Sequence, residues 1–226
     1  MSFYEALKAE CPTDWESYVY HPFVQGMGEG SLPKAAFKHY LIQDYLFLIH
    51  FSRAYALAVF KSDNLDDMRQ SAATMDALLN EEMKLHISYC ADWGITEAVL
   101  EAEPEAAANL AYTRYVMERG MSGDILDLLV ALAPCVMGYA EIGSRLAEEY
   151  RSGLKKNPYA PWIEMYSSNE YQQAAAGAYG QLERVAMSRL GEDYTSSGRW
   201  KALCETFATA TRLEAGFWEM GLTGSK

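Results

Sequence analysis

Apolar side chains recur along residues 34–60 at alternating spacings of four and three, a pattern typical of a helix that packs one face against a core. The stripe contains Phe37, Leu41, Leu48, Phe51 and Tyr55, and Asp44 stands where the pattern requires an apolar residue. Glu214 interrupts a second stripe of the same kind, formed by Trp200, Leu203, Phe207, Ala210 and Phe217. A buried, unpaired carboxylate is costly, so both acids need a partner or a ligand.

A third unusual feature is the run of residues 128–140, which has no charged side chain and contains Pro134 followed by Cys135. A proline inside a helix removes one backbone hydrogen bond and bends the helix. A thiol, two buried acids and a bent helix together predict a pocket for a small polar ligand or a reaction.

Each of these features also has an ordinary explanation. Cys135 is explained equally well as a small apolar residue, Asp44 as the partner of a neighbouring helix, and Glu214 as the partner of an arginine such as Arg212 from another chain. Tyr139 lies four residues after Cys135 and so shares its helix face. No histidine is close in sequence to Cys135, as a Cys–His nucleophile would require.

The composition excludes several classes of protein. With 226 residues, 50% of them hydrophobic and 22% charged, the chain is expected to form one globular domain over residues 1–226. Its net charge of −12 argues against nucleic acid and anionic membrane surfaces as partners. The N-terminus does not resemble a secretory leader and no uncharged run has the length of a membrane span, so a cytoplasmic location is predicted. Four cysteines without a CxxC pair indicate reduced thiols.

Periodicity and the positions of proline predict an all-α protein. The predicted helices lie at residues 3–17, 34–60, 64–92, 105–120, 124–150, 169–190 and 196–220. Ser31, followed by Pro33, is predicted to cap the second helix, and Ser167 with Glu170 to form a capping box before the sixth. The glycines of residues 21–33 predict a tight connector with positive φ angles, without the pattern of a phosphate loop.

Glu82 and His86 are four residues apart on one predicted helix face, a spacing that can bind a metal ion. All four histidines lie in the first 86 residues, whereas di-metal helical bundles draw carboxylate and histidine ligands from several helices. No metal site is therefore expected, and the pair is interpreted as a hydrogen-bonded i,i+4 contact near a helix interface.

Several segments, in order and spacing, resemble the TenA/thiaminase II family: the residues from His21 to Pro33, Ile42–Asp44, Glu82–His86, Pro134–Cys135, Tyr139–Gly143, Trp162–Ile163 with Tyr166, and Glu214 before Phe217–Trp218. The resemblance spans nearly the whole chain. It implies a haem-oxygenase-like helical bundle that forms a homotetramer and needs no cofactor. It also implies conversion of 4-amino-5-aminomethyl-2-methylpyrimidine to its 5-hydroxymethyl form, with loss of ammonia, in thiamin salvage. Thiamin itself is expected to be cleaved less efficiently.

The resemblance also assigns roles to the three unusual residues. Cys135 corresponds to a nucleophile whose thiolate adds to the pyrimidine ring. Glu214 corresponds to the acid and base that protonates the departing amine and deprotonates water. Asp44 corresponds to the carboxylate that holds the 4-amino group and the adjacent ring nitrogen.

By the same resemblance, aromatic residues enclose the substrate. Tyr166 is expected to reach another ring nitrogen, Tyr112 and Tyr139 to line the cysteine side, and Phe217 to cover the ring. Phe47 departs from the family pattern because some members have a tyrosine there. The aromatic wall should persist while one hydroxyl is lost, which leaves substrate preference open.

Two other kinds of function remain open at this level. One is a different haem-oxygenase-like enzyme, such as a cofactor-free oxidase of a quinone precursor or a di-iron protein, which the scarcity of histidine in the second half disfavours. The other is a helical protein that binds pyrimidines or regulates a partner without turnover. Cys135 and Glu214 favour catalysis, since binding alone requires no nucleophile.

Overall fold

The chain folds into twelve α-helices and no β-strand in a computed structural model that describes residues 1–226, which confirms the all-α prediction. The helices are α1 (Phe3–Glu10), α2 (Pro12–Val19), α3 (Pro22–Glu29), α4 (Lys34–Lys61), α5 (Leu65–Ala77), α6 (Met83–Asp92), α7 (Glu97–Ala102), α8 (Ala107–Ser122), α9 (Ile125–Glu149), α10 (Ala160–Ser167), α11 (Asn169–Leu190) and α12 (Trp200–Thr223). A π-helical turn, Leu78–Glu82, joins α5 to α6, and Leu154–Lys156 and Tyr194–Ser196 form short 3₁₀ helices.

Helix α9 is the central element of the bundle and packs against α8, α10, α11 and α12. The side chain of Asp124 caps its first turn by accepting hydrogen bonds from the amides of Leu126 and Asp127. Helix α9 has the length and hydropathy of a membrane span, but 89% of its most apolar window is buried inside the protein. It therefore has the environment of a core helix, and the buried apolar residues around it form one cluster of 60.

Helix α4 is the second long core helix and carries the predicted apolar stripe. It packs against α5, α6, α8 and α12, so its buried surface is much wider than a single stripe. Tyr40, Gln43 and Phe47, outside the predicted row, are buried as well. Because α4 is enclosed on several sides, Asp44 lies in the protein interior and not at its surface.

The N-terminal region differs from prediction in two places. The helix expected at residues 3–17 is divided into α1 and α2, because Pro12 begins a new helix and lacks the N–H group that would continue the first. The glycine-rich connector is instead helix α3, and only Gly30, just after it, has a positive φ, of 73°. Gly28 is required for packing, since a Cβ atom there would lie 2.3 Å from the ring of Tyr150.

Both predicted helix caps were wrong. Pro33 itself precedes α4 with an extended backbone, and the hydroxyl of Ser31 donates to Glu29 instead. Ser167 ends α10, a helix that the sequence patterns did not predict, and Ser168 caps α11 by accepting from the amide of Tyr171. Ser167 and Ser168 are adjacent, and because Ser167 belongs to α10, the next residue, Ser168, is the one that caps α11.

The helix predicted at residues 64–92 consists of α5 and α6 with a π turn between them. The π turn at Leu78–Glu82 adds a wider loop of backbone between α5 and α6 and so changes which side chains of the two helices share a face. Such turns occur often at functional sites, and this one contains the buried acid Glu82.

Gly143 marks the closest approach between α9 and α10, since a Cβ atom there would lie 2.6 Å from the backbone carbon of Tyr166. We expect Gly143→Ala to lower the free energy of unfolding by about 1–3 kcal/mol, because backbone cannot move aside as a side chain can. Gly216→Ala is the matched control: it lies on the exposed face of α12 with no atom within 4 Å of its Cβ position, and should stabilise by about 0.5–1 kcal/mol. Urea unfolding of both variants tests this, and equal effects would contradict it.

Candidate active site

Three carboxyl groups from three different elements are buried near one thiol. Asp44 of α4, Glu82 of the π turn and Glu214 of α12 are 2%, 8% and 1% exposed. Cys135 of α9 is 8% exposed, and its pKa is affected by the charges of all three acids. The structure therefore brings together the three predicted residues, Asp44, Cys135 and Glu214, and adds Glu82 to them.

Asp44 is held through a single oxygen atom. Its Oδ2 accepts a hydrogen bond from the Tyr40 hydroxyl at 2.8 Å and lies 2.6 Å from Nε2 of His86. Its Oδ1 makes no hydrogen bond within the protein. Asp44 is thus paired with a neighbouring helix, as one sequence interpretation allowed, and still has one oxygen available for a ligand.

The tautomer of His86 follows from its second contact. Nδ1 lies 2.9 Å from the backbone carbonyl oxygen of Glu82, which can only accept, so Nδ1 carries a hydrogen. One proton then lies between Nε2 and Asp44. Burial lowers the pKa of His86, but the Asp44 carboxylate outweighs it and the net pKa is raised, which favours an imidazolium–carboxylate pair.

Glu214 lies in an environment that favours its protonated form. The pKa of Glu214 is raised to about 8, chiefly by burial and also by the charge of Asp44. A 2.7 Å hydrogen bond donated by the Tyr112 hydroxyl partly opposes this rise. Within the chain Glu214 has no arginine partner, and Arg212 donates to Asp14. Glu214 can therefore hold or accept a proton near neutral pH.

The Cys135 thiol lies in an environment opposite to that of most activated cysteines. Burial raises its pKa well above the ordinary value, and the charges of Glu214, Glu82 and Asp44 raise it further. The thiol is therefore protonated in the free protein. Glu214, whose charge has the largest effect on this thiol, is the base placed to accept its proton.

The predicted aromatic residues form two groups beside these polar side chains. Phe47 packs against Phe51, Tyr112 and Phe217 with ring centroids 5.0, 5.1 and 5.5 Å apart. Tyr139 lies edge-on to Tyr166 at 5.0 Å. All six predicted ligand-contacting residues are buried, so their placement is compatible with an enclosed ring-binding site.

A cavity of about 140 Å³ reaches this region from the surface. Cys135 and Glu82 are among its lining residues, and the exposed acids Glu81 and Glu170 lie at its outer part. The remaining lining residues are mostly apolar and include Phe51 of the aromatic wall. Asp44, Glu214 and the five predicted aromatic residues do not line this cavity, so it opens on the side of the site that carries Cys135 and Glu82.

Two residues of the site were not among those that the sequence predicted. The predicted i,i+4 hydrogen bond between Glu82 and His86 is present, but it joins the imidazole to the backbone carbonyl of Glu82. The Glu82 carboxyl group and His86 Nε2 turn to other partners, Tyr166 and Asp44. No three His, Cys, Asp or Glu side chains are grouped so that they could hold a metal ion. Tyr40, four residues before Asp44 on one helix face, was the available signal for a partner of that acid.

Comparison with known proteins gives consistent results. A model of the TENA/THI-4/PQQC family matches residues 10–224. An aminopyrimidine aminohydrolase from Halalkalibacterium halodurans is 39% identical over 222 residues, which cover 97% of this chain and 95% of that protein. A crystal structure from Silicibacter sp., described as a TenA family transcription regulator, is 52% identical with a TM-score of 0.92 and covers 97% of this chain and 96% of that one.

A more distant structural match concerns the fold alone. A domain of unknown function from Shewanella denitrificans, described as having a heme oxygenase-like fold, has a TM-score of 0.72 at 14% identity and covers 97% of this chain and 92% of its own. The predicted haem-oxygenase-like fold is therefore confirmed.

Glu214→Gln should stabilise the protein relative to the wild type, by an amount that grows as pH rises. The unfolded chain releases the Glu214 proton near pH 4.5, whereas the folded protein keeps it to about pH 8. Between these pH values the folded wild type holds a proton that the unfolded chain has released, so its unfolding free energy falls as pH rises. The amide cannot ionise in either state. The variant's gain in unfolding free energy should therefore grow from about pH 4.5 to 8 and then level, reaching on the order of a few kcal/mol.

Urea unfolding at a series of pH values measures this gain. The control is Glu205→Gln, at an exposed acid of the same helix, which should give a curve parallel to the wild type. A parallel curve for Glu214→Gln would mean that Glu214 is already ionised in the folded protein.

Proposed function

Because the chain belongs to the TENA/THI-4/PQQC family, we propose that it is an aminopyrimidine aminohydrolase of thiamin salvage. The substrate is 4-amino-5-aminomethyl-2-methylpyrimidine, whose amine is replaced by a hydroxyl group with release of ammonia. The name of the Halalkalibacterium relative supports this activity. The observation that carries the proposal is that the buried acid Glu214 acts on the Cys135 thiol more strongly than any other charge, where a cavity reaches the thiol.

In the first half of the proposed reaction, Glu214 in its ionised form takes the proton of Cys135 and the thiolate adds to a ring carbon of the pyrimidine. The ring electrons then expel the amine from the neighbouring methylene, and Glu214 returns the proton to the leaving nitrogen. Because the pKa of Glu214 is about 8, both of its protonation states are accessible near neutral pH.

The second half restores the enzyme. Water adds to the exposed methylene while Glu214 removes its proton, and the Cys135 thiolate leaves as the ring regains its aromatic bonds. The thiolate then recovers a proton from Glu214. In total one water is consumed, one ammonia is released and neither residue is changed.

The remaining site residues recognise the ring. Asp44 Oδ1, which has no partner in the protein, accepts from the 4-amino group, while His86 and Tyr40 hold Oδ2. Phe47 and Phe217 supply aromatic surface. Tyr112 orients Glu214 through its hydrogen bond.

Cleavage of thiamin is proposed as a slower side activity of the same site. The chemistry is identical, but the leaving group is a thiazole ring and not an amine. A cavity of about 140 Å³ suits the smaller leaving group better. The homotetramer that the resemblance implied stays a prediction.

A regulatory function without turnover is the second candidate, since the Silicibacter protein is described as a transcription regulator. The net charge of −12 disfavours direct contact with DNA, whose phosphates repel an acidic surface. Binding alone also gives no role to a buried thiol next to a proton-holding acid.

Ammonia release from the aminomethylpyrimidine is the decisive measurement. The wild type should release ammonia and Cys135→Ala should not, because Cys135 is the one thiol among the residues that line the cavity. Glu214→Gln should lower kcat about 10²- to 10⁴-fold while KM changes little, as expected when proton transfer is lost but the shape of the site is kept.

Two other outcomes would change the conclusion. Tight pyrimidine binding by a wild type that never releases ammonia would favour the regulatory candidate. Full activity of Cys135→Ala would remove covalent catalysis but leave the hydrolase.

A further inference from the structure

Glu82 is a buried acid that contacts two parts of the candidate site. Its Oε1 lies 2.5 Å from the Tyr166 hydroxyl, and Oε2 makes no hydrogen bond within the protein. Its side chain also lines the cavity that reaches Cys135. The π turn at Leu78–Glu82 places this carboxyl group in the core, whereas the preceding residue, Glu81, is exposed.

Tyr166 has little freedom apart from the direction of its hydroxyl hydrogen. Its ring is fully buried and packs against Trp162 at 4.3 Å, Tyr171 at 4.8 Å and Tyr139 at 5.0 Å. Glu82 is the one hydrogen-bond partner of its hydroxyl in the protein. Glu82 therefore determines whether the Tyr166 hydroxyl offers a ligand a hydrogen-bond donor or an acceptor.

The two protonation states of Glu82 give opposite results. An ionised carboxylate can only accept, so it holds the Tyr166 hydrogen and leaves the phenol oxygen as an acceptor. A protonated carboxyl donates to that oxygen instead. The hydrogen of Tyr166 is then free to point at an acceptor elsewhere, such as a pyrimidine ring nitrogen.

The surroundings of Glu82 make both states accessible. The titratable groups that face it from the packed elements are Asp44, Tyr55, His86, Cys135, Tyr166, Tyr171 and Glu214. The pKa of Glu82 is raised to about 7: burial and the charge of Asp44 raise it, and His86 and the Tyr166 hydrogen bond partly oppose the rise. Glu82 therefore changes state near neutral pH.

We propose that Glu82 is a positioning residue that, when protonated, directs the Tyr166 hydrogen to a ring nitrogen of the substrate. The inference rests on the proposed function, because it takes the ligand to be an aminopyrimidine. As the thiolate adds, the ring nitrogen gains electron density and takes the Tyr166 proton, while Tyr166 takes the Glu82 proton. Both protons return when the thiolate leaves, so the relay is balanced.

Binding of the product, 4-amino-5-hydroxymethyl-2-methylpyrimidine, tests the proposal without requiring turnover. Calorimetric titrations between about pH 6 and pH 9 bracket the Glu82 pKa. The variants are Glu82→Gln and Tyr166→Phe, with Asp66→Asn as a control at an exposed acid of α5. Ionisation of the ligand is common to all four proteins, so differences between profiles belong to the protein.

Affinity of the wild type and of Asp66→Asn should fall above pH 7 by up to about tenfold per pH unit, the limit for one required proton. Glu82→Gln should lack this fall, since its amide can donate to Tyr166 at every pH. Tyr166→Phe should lack it too, although Glu82 is still present, because the acid then has no hydrogen to direct. The double variant should bind no more weakly than Tyr166→Phe alone.

Four results would overturn the inference. A Glu82→Gln profile identical to that of the wild type would exclude Glu82 as the titrating group. A Tyr166→Phe profile that keeps the fall would show that Glu82 acts directly on the ligand. Absence of pyrimidine binding by the wild type would reject the proposed function itself, whereas binding with no fall above pH 7 rejects this inference alone.

Discussion

Each of the three buried carboxyl groups is held by the hydroxyl of one tyrosine, and the site depends on these three hydrogen bonds. The pairs are Tyr40 with Asp44, Tyr166 with Glu82, and Tyr112 with Glu214. Three negative charges could not share one buried region, so the acids must divide the available protons. His86 contacts the carboxyl group of Asp44 alone, so the one basic side chain of the site is paired with that acid.

This division assigns different chemistry to side chains of the same type. Asp44, paired with an imidazolium, is suited to accept from N–H donors of a ligand. Glu82 and Glu214, with pKa values of about 7 and 8, are suited to give and take protons. Cys135 lies among them as a neutral thiol, so nucleophilic attack has to begin with a proton transfer and not with a stored thiolate.

The sequence predicted the long helices well because their apolar periodicity reflects burial against one shared core. Helices α8 and α9 begin and end within two residues of the predicted limits. The short helices were missed or misread because eight residues contain too few apolar positions to define a period, as in α3 and α10. Helix α10 matters most, since it carries Tyr166.

For the site, interruption of apolar stripes identified Asp44 and Glu214, because a charge in a buried row is visible in sequence alone. Glu82 and His86 could not be assigned in this way, since the π turn that ends at Glu82 changes the helix register between α5 and α6. Their spacing predicted the hydrogen bond between His86 and the backbone of Glu82, but not that the carboxyl group reaches Tyr166 and His86 Nε2 reaches Asp44. Partners that lie 42 and 84 residues away are fixed by tertiary packing, which periodicity does not describe.

The π turn has a consequence for how this segment can change in length. A π turn is equivalent to one extra residue within an α-helix. Deleting one residue from 78–81 would therefore restore ordinary helical geometry with α6 in nearly its present orientation relative to α5, whereas deleting one residue between α6's start and His86 would rotate His86 by about 100°. His86 would keep facing Asp44 after the first deletion and would turn away from it after the second, so the π turn is the place where this segment can lose a residue and keep both the α5 contacts and the His86–Asp44 pair.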